Sequence, residues 1–95
     1  MKHYVYIIYS EKLNRFYIGE TDNFLRRLDE HNVGFFINSY TSKTSDWKLF
    51  FLISCENRIQ ARKVENHIKK MKSRKYIKDL KKYPDISEKL KNVYK

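Results

Sequence analysis

A chain of 95 residues holds apolar material for one modest core, and 41% hydrophobic with 16% aromatic residues is too rich for a disordered chain. With 34% charged residues and short apolar runs a membrane span is excluded, and since no signal-type cleavage pattern after Met1-Lys2-His3 suggests export, one soluble cytoplasmic domain over residues 1–95 is expected. The formal charge of +10 is uneven: Arg58 to Lys95 holds fourteen Lys/Arg against four acids, whereas residues 1–57 hold seven of each. Such a segregated excess points to a polyanionic partner, held by salt-sensitive phosphate contacts, over a merely solvated surface. Cys55 is the single cysteine, which removes any disulfide framework and suits a reducing compartment.

In chain order, Tyr4 to Tyr9 and Phe16 to Gly19 are aromatic and β-branched runs joined by the polar stretch Ser10 to Arg15, which predicts an antiparallel hairpin. Strand alternation puts Tyr4, Tyr6 and Ile8 on one face and Val5, Ile7 and Tyr9 on the other, with Tyr6 and Tyr17 expected to face each other. A helix follows, capped by Thr21 or Asp22, with Phe24, Leu25 and Leu28 at helical spacing and an end at Asn32-Val33-Gly34. Arg27 and His31 lie four apart and so share a stripe of that helix. Residues 35–47 lack a period and read as a loop.

Leu49 to Ile53 is a continuous apolar run of strand length, expected as a central strand covered on both faces. From Asn57 as N-cap, Ala61, Val64, Ile68 and Met71 repeat at spacings of three and four, which predicts a long helix with one buried seam. Tyr76, Ile77 and Leu80 continue the helical pattern, Pro84 interrupts it, and Asp85 or Ser87 caps a last helix through Leu90 and Val93. The fold class is therefore α/β (α+β): one compact domain, a three-stranded sheet, mixed or mostly antiparallel, flanked by helices.

Glu65 stands out because it is the only acid between Asn57 and Lys78, among nine Lys/Arg. Its ordinary role would be an ion pair with Lys69, worth about 0.2–0.5 kcal/mol on an exposed helix. It also borders the apolar seam, which allows it to point into a cleft over the sheet. Arg27 is preferred to Arg26 as a phosphate ligand because it shares its stripe with His31 and its guanidinium can hold two oxygens at once. His3, His31, Cys55 and His67 lack the close spacing of a structural zinc site.

Taken together, Tyr4-Val5-Tyr6, the literal Tyr17-Ile18-Gly19, the helix Thr21 to Asn32 with Arg27 and His31, and Ala61-Arg62-Lys63-Val64-Glu65 resemble the GIY-YIG nuclease superfamily, most closely its small stand-alone members. The resemblance covers nearly the whole chain to about Leu80. It implies a metal-dependent endonuclease acting on DNA, with Tyr6, Tyr17, Arg27 and His31 as catalytic residues and Glu65 as the ligand of Mg²⁺ or Mn²⁺. One carboxylate suits Mg²⁺, which keeps several waters and takes further ligands from substrate phosphates. Tyr6 and His31 would activate water, with Arg27 and His31 favouring the phenolate, and Tyr17 would position the reactants.

Lys43, Arg62, Lys69, Lys72 and Arg74 are the candidate nucleic-acid contacts, and Asn38, Tyr40 and Thr41 share Lys43's loop. Three features depart from the family pattern: Tyr4 stands where the first triplet has its glycine, Gly34 to Ser39 is not glycine-rich, and Lys43 replaces an arginine after the Tyr-Thr pair. A monomer or weak dimer acting in DNA repair is expected. The rival reading is a catalytically inactive nucleic-acid-binding module that keeps these residues as structure; a protein-interaction or toxin/antitoxin-like component has no specific support.

Overall fold

The computed structural model describes residues 2–34 and 40–95, so the expectation for Asn38 lies outside the described residues. The chain runs β1 (His3–Ser10), β2 (Arg15–Thr21), α1 (Phe24–Asn32), a short 3-10 turn at Tyr40–Lys43, β3 (Lys48–Cys55), α2 (Arg58–Met71), α3 (Arg74–Lys82) and α4 (Asp85–Val93). The three strands form one sheet in the order β2-β1-β3, and both pairings are antiparallel. Among the described residues no helix is long and apolar enough to cross a membrane.

The central strand is β1, where Val5, Tyr6, Ile7 and Ile8 are all buried in succession. The expectation of a central strand at Leu49–Ile53 is therefore corrected: β3 is an edge strand, and Leu49 is exposed. An unbroken apolar run reports cover on both faces of a strand, and it carries no information about neighbours to the side. The β1–β3 ladder also shifts register between Ile7, opposite Phe51, and Ile8, opposite Leu49, which leaves Phe50 as an extra residue.

The two faces of the sheet hold two cores. Val5 and Ile7 pack with Ile53, Cys55, Ala61, Val64 and Ile68 under α2, joined by Ile77, Leu80 and Leu90 from α3 and α4. On the other face Tyr6, Ile8 and Trp47 are buried together, with Leu13, Tyr17, Leu28 and Leu52 against them. The alternation read in β1 thus sorts its side chains between the α2 layer and the α1 layer.

The helix ends follow from local hydrogen bonding. Asn23, rather than Thr21 or Asp22, caps α1 by accepting from Arg26 N at 3.1 Å; Thr21 ends β2 with its side chain inward, and its Oγ1 accepts from Asn23 N. Gly34 takes φ +76 after the last turn, as its place predicts. Asn57 caps α2 through Gln60 N, and Ser73 caps α3 through Tyr76 N. The expected cap of α4 by Asp85 or Ser87 is corrected: Pro84 occupies that position without a side-chain cap, and Ser87 Oγ donates to Pro84 O. Asp85 and Glu88 instead place negative charge in the first turn, opposite the positive end of the helix dipole.

Three residues expected on apolar seams are exposed: Leu25, Met71 and Val93. In α1 the inward stripe is Phe24, Leu28 and His31, with Phe24 packed edge-on to Tyr4. The C-terminal helix is tied back by Gln60 Nε2 donating to Lys91 O, by Lys91 Nζ donating to Ser54 O, and by a 3.0 Å bond between His67 and Tyr94.

Candidate active site

Tyr6 and Tyr17 share the α1 face of the sheet, but they stand on a diagonal rather than directly opposite. Tyr6 pairs with Gly19 and Tyr17 with Ile8, which corrects the expected register and leaves the rings 6.5 Å apart. Gly19 is what admits this arrangement. A Cβ there would lie 2.3 Å from Tyr6 Oη and 2.5 Å from Cζ, so the phenol rests on bare backbone.

His31, in the last turn of α1, is 3% exposed and completes the cluster. Its Nε2 lies 2.9 Å from Tyr6 Oη, its Nδ1 lies 2.7 Å from Thr41 Oγ1, and its ring meets Tyr17 edge-on at 5.2 Å. Thr41 is held in turn by Trp47, whose indole Nε1 donates to Thr41 O at 2.9 Å. Asn32 secures Trp47 from the other side, accepting from its backbone N and donating to its O. Burial and the Arg27 guanidinium lower the His31 pKa to about 4, so the ring is neutral near neutral pH. A neutral imidazole carries one N–H; with Tyr6 donating to Nε2, that proton sits on Nδ1 and donates to Thr41.

The phenol of Tyr6 is held well above the ordinary tyrosine range by burial, with the charges of Tyr17, Glu65 and Glu20 acting in the same direction and Arg27 against them. This corrects the expectation that Arg27 and His31 together would favour a phenolate: His31 is uncharged, and Arg27 alone does not outweigh desolvation. Arg27 sits one turn before His31, its Nε buried and 3.6 Å from Glu30. Arg26 is the more exposed of the two and pairs with Asp22 and Glu30.

Glu65 comes from α2, the helix layer on the opposite face of the sheet from both tyrosines. Its side chain is nonetheless only 12% exposed, pairs with Lys69 at 2.9 Å, and its charge is felt at Tyr6. The bare backbone at Gly19, on the edge strand β2, lies between the two layers. Among the described residues no three His, Cys, Asp or Glu side chains cluster, so a cation here would rest on Glu65 and substrate oxygens. A largely buried carboxylate whose ion-pair partner among the described residues is the Lys69 ammonium fits that role.

Of the five basic candidates, Lys69, Lys72 and Arg74 line one groove with Tyr17. Lys43 is exposed, with its ammonium over the Tyr40 ring, and Arg62 is exposed on α2. The loop residue Thr41 is turned inward onto His31 instead of outward to a phosphate. The positioning parts, Thr41, Trp47, Asn32 and the surface of Gly19, are not marked by any local period; only the Tyr-Thr pair hinted at one of them.

Comparison with known proteins fits this geometry. No match was found among curated proteins or among solved structures. A family model described as the GIY-YIG catalytic domain matches residues 2–78, more than three quarters of the chain. That family is a nuclease superfamily, generally dependent on a divalent metal. With the paired tyrosines, the helix that carries Arg27 and His31, and Glu65 all inside the matched span, the chain belongs to the GIY-YIG family.

Proposed function

We propose that the protein is a cytoplasmic DNA endonuclease, dependent on Mg²⁺ or Mn²⁺, that hydrolyses phosphodiester bonds at the Tyr6–His31 cluster and serves in DNA repair. The observation that carries this reading is the buried chain from Tyr6 Oη through the His31 ring to Thr41 Oγ1, with Arg27 and Glu65 both acting electrically on its outer end. A hydrogen-bonded row of this kind moves a proton without exposing a charge to solvent.

Tyr6 takes a proton from the attacking water while handing its own to His31 Nε2, so the phenol needs no phenolate at rest. Thr41 holds the Nδ1–H, which keeps Nε2 free to accept. The negative charge of the incoming phosphate offsets the burial that holds His31 near a pKa of 4. Arg27 grips phosphate oxygens and neutralises charge that develops during attack. Tyr17 orients the reactants from the neighbouring strand. Glu65 would hold the cation, which when bound supplies Lewis-acid charge at the scissile phosphate.

The test is cleavage of labelled single- and double-stranded DNA with Mg²⁺, with Mn²⁺ and with chelator. Wild type should cut only with metal. Tyr6→Phe should slow by on the order of 10²–10⁴, as loss of a positioned proton-transfer group does, and Glu65→Ala should lose activity at low metal concentration. Equal cleavage by all three proteins overturns the reading. Tight, salt-sensitive DNA binding without turnover under either metal replaces it with the inactive binding module.

A further inference from the structure

We propose that the groove between β2 and the α2–α3 junction is a subsite for one unpaired nucleotide of the DNA strand, a reading that rests on the nuclease proposal for the identity of the ligand. The groove has a volume of about 460 Å³, within the ~300–1,000 Å³ typical of small-molecule sites. Its wall is the edge strand β2, through Phe16, Tyr17 and Ile18, backed by Ile68 and Ile77 from the helices. Its rim carries Arg15, Lys69, Lys72 and Arg74, and among the described residues no Asp or Glu lines it. An apolar wall alone would take any hydrophobe, and a cationic rim alone would take any phosphate backbone. The pair selects a ligand with a flat apolar body and adjacent negative charge, which is a nucleotide.

Pairing decides the rest. In a duplex both faces of a base are stacked on neighbours, so only an unpaired base has a face to lay against aromatic and apolar side chains. The rim is preorganised: Arg74 donates to Asn14 O at 2.8 Å and to its Oδ1 at 2.9 Å, and its guanidinium lies 5.3 Å from the centre of the Phe16 ring. Lys72 closes α2 in the left-handed conformation at φ 46, which sets the turn into α3. Tyr17 borders the groove from β2 while its ring stands on the other face of the sheet beside His31, and Lys69 on the groove pairs with Glu65, so a strand seated here runs past the carboxylate assigned to the cation.

The test uses the full chain, chelator to prevent cleavage, and a duplex with a single-stranded arm in which 2-aminopurine is moved one position at a time from the junction. One arm position should show a fluorescence change on binding, and an abasic residue at that position should weaken binding by about five- to 150-fold, the range for losing one stacked base. Lys72→Gly keeps the left-handed cap without strain and removes one cation, so it should fold, bind the arm more weakly, and lower the salt dependence of binding by about one phosphate contact. A flat 2-aminopurine and abasic profile with cleavage intact overturns the subsite and leaves the nuclease reading standing. A position-specific profile in a protein that cuts nothing overturns the nuclease reading and leaves the subsite.

Discussion

Replacing Gly19 with alanine tests the whole arrangement through one methyl group. The new Cβ would fall 2.3 Å from Tyr6 Oη, against 3.4 Å for ordinary contact, so the phenol must retreat by about 1.1 Å (3.4 minus 2.3). The ring has nowhere easy to go, because Tyr6 is 3% exposed and tethered to His31 at 2.9 Å. Overpacking of this kind costs about 1–3 kcal/mol in stability, and displacing a reacting group by about 1 Å lowers turnover by on the order of 10²-fold. Both are measurable, by chemical denaturation and by single-turnover cleavage. The cause is isolated by repeating the change in a Tyr6→Leu background, where Oη, Cζ and Cε1 are gone. There Gly19→Ala should cost less than ~0.5 kcal/mol, as substitutions that meet no packing clash usually do. Wild-type stability and turnover in Gly19→Ala, or strict additivity in the double variant, would refute the claim that bare backbone at this position seats the phenol.

Three further outcomes follow from the same network. Thr41→Val keeps the shape but leaves the His31 Nδ1–H without Oγ1, so it should cost about 1–3 kcal/mol and shift the His31 tautomer balance, read by ¹⁵N chemical shifts. Asn32→Ala strips a donor and an acceptor from the Trp47 backbone and should lower the unfolding free energy by about 2–3 kcal/mol in denaturant. The pH dependence of stability has a definite sign: His31 binds a proton less readily folded (about 4) than unfolded (6.5), so its contribution is complete above pH 6.5 and is lost as pH falls toward 4. At about 1.4 kcal/mol per pH unit this reaches about 3 kcal/mol at most, and His31→Gln should flatten the slope in that window. Asp46, lowered to about 2 by bonds from Ser10, Thr44 and Lys12 N, acts in a separate and more acidic range.

What could be read from the sequence is what short-range rules govern. The hairpin, the shared stripe of Arg27 and His31, the cap at Asn57 and the seam of Ala61, Val64 and Ile68 all depend on residues within a turn or two of one another, and all are present. What could not be read depends on contacts between distant segments. Sheet order placed β3 at an edge because hydropathy does not encode lateral neighbours. Thr41 gains its role from a tertiary bond to His31, ten residues away and on another element. The electrical state of the site also lay beyond the sequence, since burial sets both the lowered His31 and the raised Tyr6 and no spacing reports it.

The family match stops at residue 78, yet Leu80 and Leu90 fill the same core as Val5 and Ile7, and Lys91 is clasped from both α2 and β3. Recognisable pattern and cooperative unit therefore have different ends. A chain cut where the pattern stops would break α3 and empty the part of the core that Leu80 and Leu90 fill, and would register as lost activity through collapse of the scaffold. Mutational scans of α4 should accordingly be scored against folded protein, because a helix that packs the core governs how much competent enzyme there is to measure.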